Sequence, residues 1–155
     1  MQSIERLLTA RESMGDKILV VDDELEVRMM LQDLLGSKGF EVILASDGEE
    51  GVALADTENP QVVLLDISMP GMDGVECCRK LKADDKSSSI PVIMLTAYWD
   101  RKTEAIEAGA DDFVYKPFDP DELSFRIKSV LRVRYLNNEV ERLIADIEQL
   151  KMEDN

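Results

Sequence analysis

Five short apolar runs recur along the chain: ILVV at 18–21, VILA at 42–45, VVLL at 62–65, VIML at 92–95 and FVY at 113–115. They are rich in Val, Ile and Leu and show no polar alternation. Strands covered on both faces read this way, whereas a strand with one wet face alternates. Stretches with helical spacing separate the runs. Between 24 and 38, Val27, Met30, Leu31, Leu34 and Leu35 share one helical face, and Gly39 follows as a stop. Residues 49–57, 75–83 and 101–108 fill the next three gaps, and Gly109 ends the last of these. Strand and helix thus alternate five times. The pattern predicts an α/β fold, a parallel sheet with helices on both faces and right-handed crossovers.

The fifth helix has a marked start: Asp119 as N-cap, Pro120 at the first helical position and Glu122 at the third. It has no comparable stop, because no Gly or Pro follows Pro120. Val133, Leu136, Val140, Leu143, Ile147 and Leu150 are spaced 3, 4, 3, 4 and 3 apart, a heptad seam. The a positions are β-branched and the d positions are Leu, a choice that favours a parallel two-stranded coil and hence a homodimer. Asp146 at g can meet Lys151 at the partner's next e position. The alternative is an amphipathic helix folded back on its own domain. The expected organisation is a leader over 1–16, a domain over 17–132 and a coiled-coil extension over 133–155. In the leader, Ile4, Leu7 and Leu8 either form an apolar helical patch or belong to a frayed end.

Composition excludes several functions. A length of 155 residues suits one domain with a real core, and 45% apolar residues argue against disorder. Asp and Glu number 33 against 18 Lys and Arg, a net charge of −15. Such a surface repels phosphate backbones, so no direct nucleic-acid binding is expected. The chain has no histidine, which removes Ser-His and Cys-His catalysis and His-bound metals. Cys77 and Cys78 are adjacent, so they cannot staple distant segments or form a CxxC zinc site. No secretory signal opens the sequence and no apolar run approaches a membrane span, so a cytoplasmic, reduced protein with no membrane contact is expected.

Polar residues suited to chemistry stand at the predicted C-terminal ends of four strands: Asp22 and Asp23, Asp66, Thr96 and Lys116. In a parallel sheet those ends share one edge, where open α/β folds bind ligands. Converging carboxylates repel one another and call for a hard cation such as Mg²⁺, which keeps waters and is completed by phosphate oxygens. A carboxylate can also act as a nucleophile and form an aspartyl phosphate. Lys116 offers a compact charge and Thr96 a hydroxyl to phosphoryl oxygens. Phosphoryl transfer needs mainly positioning and charge neutralisation, which this set supplies without histidine. Taken singly, each has an ordinary explanation. Asp22 and Asp23 are equally a helix N-cap, Asp66 a turn residue, Thr96 a strand end and Lys116 a solvated lysine. It is their placement on one edge that argues for chemistry.

KILVVDDE at 17–24, VVLLDISMPGMDG at 62–74, PVIMLTA at 91–97 and GADDFVYKPF at 109–118 resemble the four signature segments of response-regulator receiver domains. The resemblance implies a flavodoxin-like, doubly wound five-stranded sheet of order 2-1-3-4-5 and a phosphoacceptor at Asp66. It implies Mg²⁺ held by Asp66, directly by Asp23 and by the backbone carbonyl of Ser68, with Asp22 in support, partly through water. Thr96 and Lys116 would grip the phosphoryl oxygens, Lys116-Pro117 would be a cis peptide, and Phe113 would be the switch aromatic. Ser68 and Tyr98 occupy the positions that modulate phosphate lifetime, where the large Tyr98 would shield the acyl phosphate. Trp99, three residues past Thr96, would report ligand binding by fluorescence. The implied donor is a histidine kinase or a phosphotransfer protein. The output would pass through a stand-alone dimer or through an output domain that this sequence does not contain.

Three other functions fit parts of the pattern. A phosphatase like the haloacid dehalogenase superfamily needs a second Asp two residues after its nucleophile, where Ser68 stands. An interaction module that never takes phosphate would have lost an acid, the acceptor or the lysine. Flavin binding on a similar fold wants a Ser/Thr/Gly-rich first loop, and Asp22-Asp23-Glu24 would repel the phosphate.

Overall fold

A computed structural model describes residues 15–97 and 101–153. Tyr98, Trp99 and all of the leader before Gly15 lie outside the described residues. The elements run β1 (Lys17–Val21), α1 (Leu25–Ser37), β2 (Glu41–Ala45), α2 (Gly48–Glu58), β3 (Val62–Asp66), α3 (Gly74–Ala83), β4 (Val92–Thr96), α4 (Lys102–Glu107), β5 (Asp112–Tyr115) and α5 (Pro120–Glu153). The five strands form one sheet of order β2-β1-β3-β4-β5, and every neighbouring pair is parallel. Each apolar run became a strand and each helical stretch a helix, as the alternation predicts.

The unbroken apolar runs are explained by two cores. Successive strand side chains point to opposite faces. Leu19, Val21, Val63, Leu65, Val92 and Met94 join one cluster with Ala55 of α2, Cys77 of α3 and Ala105 of α4. Ile18, Val20, Val62, Leu64, Ile93 and Leu95 join another with Leu31 and Leu35 of α1 and Leu123 and Ile127 of α5. Cys77 and Cys78 are buried in the first cluster, and burial pushes their thiols up to about 12 and about 11. They are inert packing residues.

Both helix stops expected from glycine are the same device. At the end of α1, Gly39 (φ 93°) donates its N–H to Gly36 O and Phe40 donates to Leu35 O. At the end of α4, Gly109 (φ 101°) donates to Ile106 O and Ala110 to Ala105 O. Each pair is a Schellman motif, whose left-handed residue carries no Cβ penalty only when it is glycine.

Helix α5 begins as read from the sequence: Asp119 Oδ1 accepts from the N–H of Asp121 at 2.9 Å. Leu123, Ser124, Ile127 and Leu131 are its buried residues. Beyond them the helix continues unbroken to Glu153. Val133, Leu136, Val140, Leu143, Ile147 and Leu150 are 43–61% exposed, so the stripe is not folded back on its own domain. Arg134 roots this segment by donating from Nη1 to the carbonyls of Gln61 (2.7 Å) and Pro60 (3.3 Å), at the start of β3. Among the described residues, no helix is long and apolar enough to cross a membrane.

Candidate functional site

Strand order creates the site. β1 and β3 are neighbours, with Val21 beside Leu65 in register. The chain therefore leaves the sheet at Asp22 and at Asp66 side by side, and Asp23 follows. Carboxylate oxygens of Asp22, Asp23 and Asp66 lie within 4.8 Å of one another. Asp22 is fully buried, Asp66 is 4% exposed and Asp23 is exposed.

Asp22 is held through both of its backbone groups and both carboxylate oxygens. Its N–H donates to Ala45 O (3.2 Å), and its carbonyl accepts from Arg28 Nη1 (2.7 Å). Its Oδ1 accepts from the Glu24 N–H (2.9 Å), and its Oδ2 from Lys116 Nζ (3.1 Å). The N-cap reading of the acidic pair does not hold, because the N-cap of α1 is Glu24 and no side-chain bond caps that helix.

Asp66 closes β3, where Oδ1 accepts from the Ser68 N–H at 3.3 Å and faces Lys116 Nζ at 3.4 Å. Burial first, and repulsion from Asp22 second, push its carboxyl from 3.8 to about 7, against the pull of Lys116 and the Ser68 N–H. Burial works to lower Lys116, but the carboxylates of Asp66 and Asp22 outweigh it and raise the ammonium above its ordinary value. One ammonium thus bridges two buried carboxylates. The Lys116–Pro117 peptide that presents it is cis, and the Lys116 N–H donates to Thr96 O at 2.9 Å.

Thr96 is the buried last residue of β4, paired in register with Tyr115. Phe113 is half-buried in β5, with Lys102 Nζ 5.3 Å from the centre of its ring. Ser68 is exposed on the loop after β3. The structure thus brings Asp22, Asp23, Asp66 and Lys116 into one cluster and ties the Thr96 backbone to it. Tyr98 is outside the described residues.

Three contributors escaped the sequence reading. Arg28 reaches back from α1 to the Asp22 carbonyl. Its position four residues after the N-cap, on the helix face toward the loop, was the available signal. Gly74 is pressed on the acceptor: a Cβ there would lie 2.2 Å from Asp66 O. Arg101 joins Asp73, the N-cap of α3, at 3.1 Å. Burial works to raise the Asp73 carboxyl, but the Glu76 N–H and then the Arg101 bond outweigh it and hold the group below its ordinary value.

Chemically, three converging carboxylates with one ammonium form a site able to coordinate a divalent metal, since hard oxygen donors in excess of local positive charge suit such ions. The buried carboxylate beside the ammonium has the setting a phosphoryl acceptor needs.

Comparison with known proteins agrees with this geometry. The family model described as "Response regulator receiver domain" matches residues 18–128. The probable transcriptional regulator ycf27 of Cyanophora paradoxa is 48% identical over 118 residues, which are 75% of this chain and 48% of that protein. The chain thus spans about half the length of the curated relatives it matches. Among solved structures, NtrX of Brucella abortus aligns with a TM-score of 0.77 and 32% identity, over 84% of this chain and 30% of that one. The receiver domain of the sensor histidine kinase PA1611 of Pseudomonas aeruginosa, solved with a magnesium ion coordinated in its active-site cleft, aligns with a TM-score of 0.72 and 28% identity, over 76% and 98% of the two chains. The match at 18–128 takes in the five-stranded sheet from Ile18 onward and the acidic edge it builds, and on it this chain belongs to the response-regulator receiver domain family, as a regulatory module of two-component signalling with a long final helix.

Proposed function

We propose that Asp66 accepts a phosphoryl group from the phosphohistidine of a histidine kinase or phosphotransfer protein, with Mg²⁺ bound at Asp22, Asp23 and Asp66. The observation that carries this reading is the placement of a buried Asp66 within 4.8 Å of two more carboxylates and 3.4 Å from Lys116 Nζ. An Asp66 carboxylate oxygen forms the bond to phosphorus, the P–N bond breaks, and the donor imidazole keeps the electron pair. Mg²⁺ supplies charge neutralisation at the transferring phosphoryl oxygens. Asp23, Asp66 and the Ser68 carbonyl would hold it directly, and Asp22, whose carboxylate oxygens already serve Glu24 and Lys116, would support it, partly through water. Lys116 then passes from the carboxylates to the new phosphate, where Thr96 adds its hydroxyl and Phe113 follows as the switch aromatic. Tyr98 shields the acyl phosphate, so Tyr98→Ala should shorten its lifetime; an unchanged lifetime removes that role.

Residues 17–132 form the receiver in this reading and 133–155 a pairing segment. Two copies join through the Val133–Leu150 seam as a parallel coil, a pairing supported by the heptad spacing and by the exposure of every seam residue. Phosphorylation biases the receiver between conformations, and the pair carries the bias to an attached or partner output.

The test is covalent labelling by a small phosphodonor such as acetyl phosphate. One phosphoryl group per chain is expected, dependent on Mg²⁺ and lost in Asp66→Asn. Label retained by Asp66→Asn overturns the assignment. Repeated hydrolysis of a phosphoester without stable label would favour the phosphatase reading.

A further inference from the structure

The exposed member of the acidic trio, Asp23, is joined to the buried Asp22 by a single peptide, and Arg28 grips that peptide. Arg28 Nη1 donates to the Asp22 carbonyl at 2.7 Å, a short charge-assisted bond. Arg28 is itself anchored in the first turn of α1 through its N–H to Glu24 O at 3.1 Å. A peptide is planar, so fixing the carbonyl of Asp22 also fixes the N–H of Asp23 and the direction in which its Cα leaves. Helix α1 has no side-chain cap to steady this loop. The bonds to Asp22, from Glu24 N–H and from Arg28, stand in for one.

We infer that Arg28 is a positioning residue for the divalent-cation site: its guanidinium holds the Asp22–Asp23 peptide so that the Asp23 carboxylate faces those of Asp22 and Asp66. The inference rests on the cation reading of the trio. It also opposes a simpler expectation. A guanidinium beside a cation site repels the cation, so on charge alone its removal should tighten binding. If its work is to hold the peptide, removal loosens Asp23 and weakens binding. Outer partners that orient metal ligands typically contribute about 10–100-fold in affinity.

The experiment is a calorimetric Mg²⁺ titration of the full chain, with the melt in chelator recorded for each variant. Arg28→Met should bind Mg²⁺ about tenfold more weakly while keeping a cooperative metal-free melt. Arg28→Lys should recover most of the affinity, because one charged donor suffices for one carbonyl. Unchanged or tighter binding by Arg28→Met overturns the inference. Should Arg28→Met fail to fold, Arg28→Gln, polar but too short to span the gap, carries the same test with the same two readings. A wild-type chain that takes up no Mg²⁺ overturns the cation reading, and this inference with it. A wild type that binds, with variants that bind equally, overturns this inference alone.

Discussion

Asp66 is kept in a state that disfavours its own charge. Its folded carboxyl holds a proton up to about pH 7, whereas an ordinary one releases it near 3.8. Between those values the folded chain binds more protons than the unfolded chain, so stability falls as pH rises from about 4 to about 7 and stays reduced above that. Below the lower value this group costs nothing. Asp66→Asn should therefore raise the melting temperature of the metal-free protein at pH 8 and leave it unchanged near pH 4. The gain is bounded above by about 4 kcal/mol, the free-energy equivalent of such a shift. Equal melts of the two proteins at pH 8 would refute the penalty. Mg²⁺ should close the gap by binding the folded wild type. Gly74 acts on the same residue from outside the acidic trio. A methyl group there meets Asp66 O at 2.2 Å, backbone that cannot yield as a flexible side chain would. Gly74→Ala should destabilise the fold by about 1–3 kcal/mol in urea unfolding, as overpacking does. A variant as stable as the parent would show that the β3–α3 loop gives way freely.

At the scale of elements, α5 serves two environments. Up to Leu131 it closes the second core, and beyond it the same helix offers only an apolar stripe, rooted by Arg134 on the carbonyls that open β3. A stripe so exposed gains most from a second copy of itself. Leu143 sits in the middle of the seam, far along the helix from the receiver core, so its replacement tests pairing without touching the acidic site. In light scattering with beryllofluoride as phosphoryl mimic, the wild type should run as a dimer and Leu143→Asp as a monomer. A dimer that survives Leu143→Asp would place the contact elsewhere.

For the molecule as a whole, the acidic cluster lies at the end of the sheet where the strands finish, and the helix root at the end where they begin. Trp99, three residues past Thr96 in sequence, should change its fluorescence on addition of Mg²⁺ or beryllofluoride, and a signal indifferent to both would detach it from the site. The sequence by itself determined the strands, the two-sided burial and the helix stops, because unbroken runs of Val, Ile and Leu and glycines at helix ends have few physical solutions. It also picked out Asp22, Asp23, Asp66, Thr96 and Lys116, because strand ends in a parallel sheet share an edge. What it left open for Asp22 and Asp23, helix cap or ligand, only the tertiary structure decided. Glu24 took the cap position, and Lys116, 94 residues away, reached the buried carboxylate. The bond from Arg28 to a backbone carbonyl and the pressure of Gly74 on another were equally beyond the sequence. Periodicity reports which face a residue is on. It does not report the ångström-scale approach of one backbone to a side chain from elsewhere, which is set only when strands β1 and β3 come side by side.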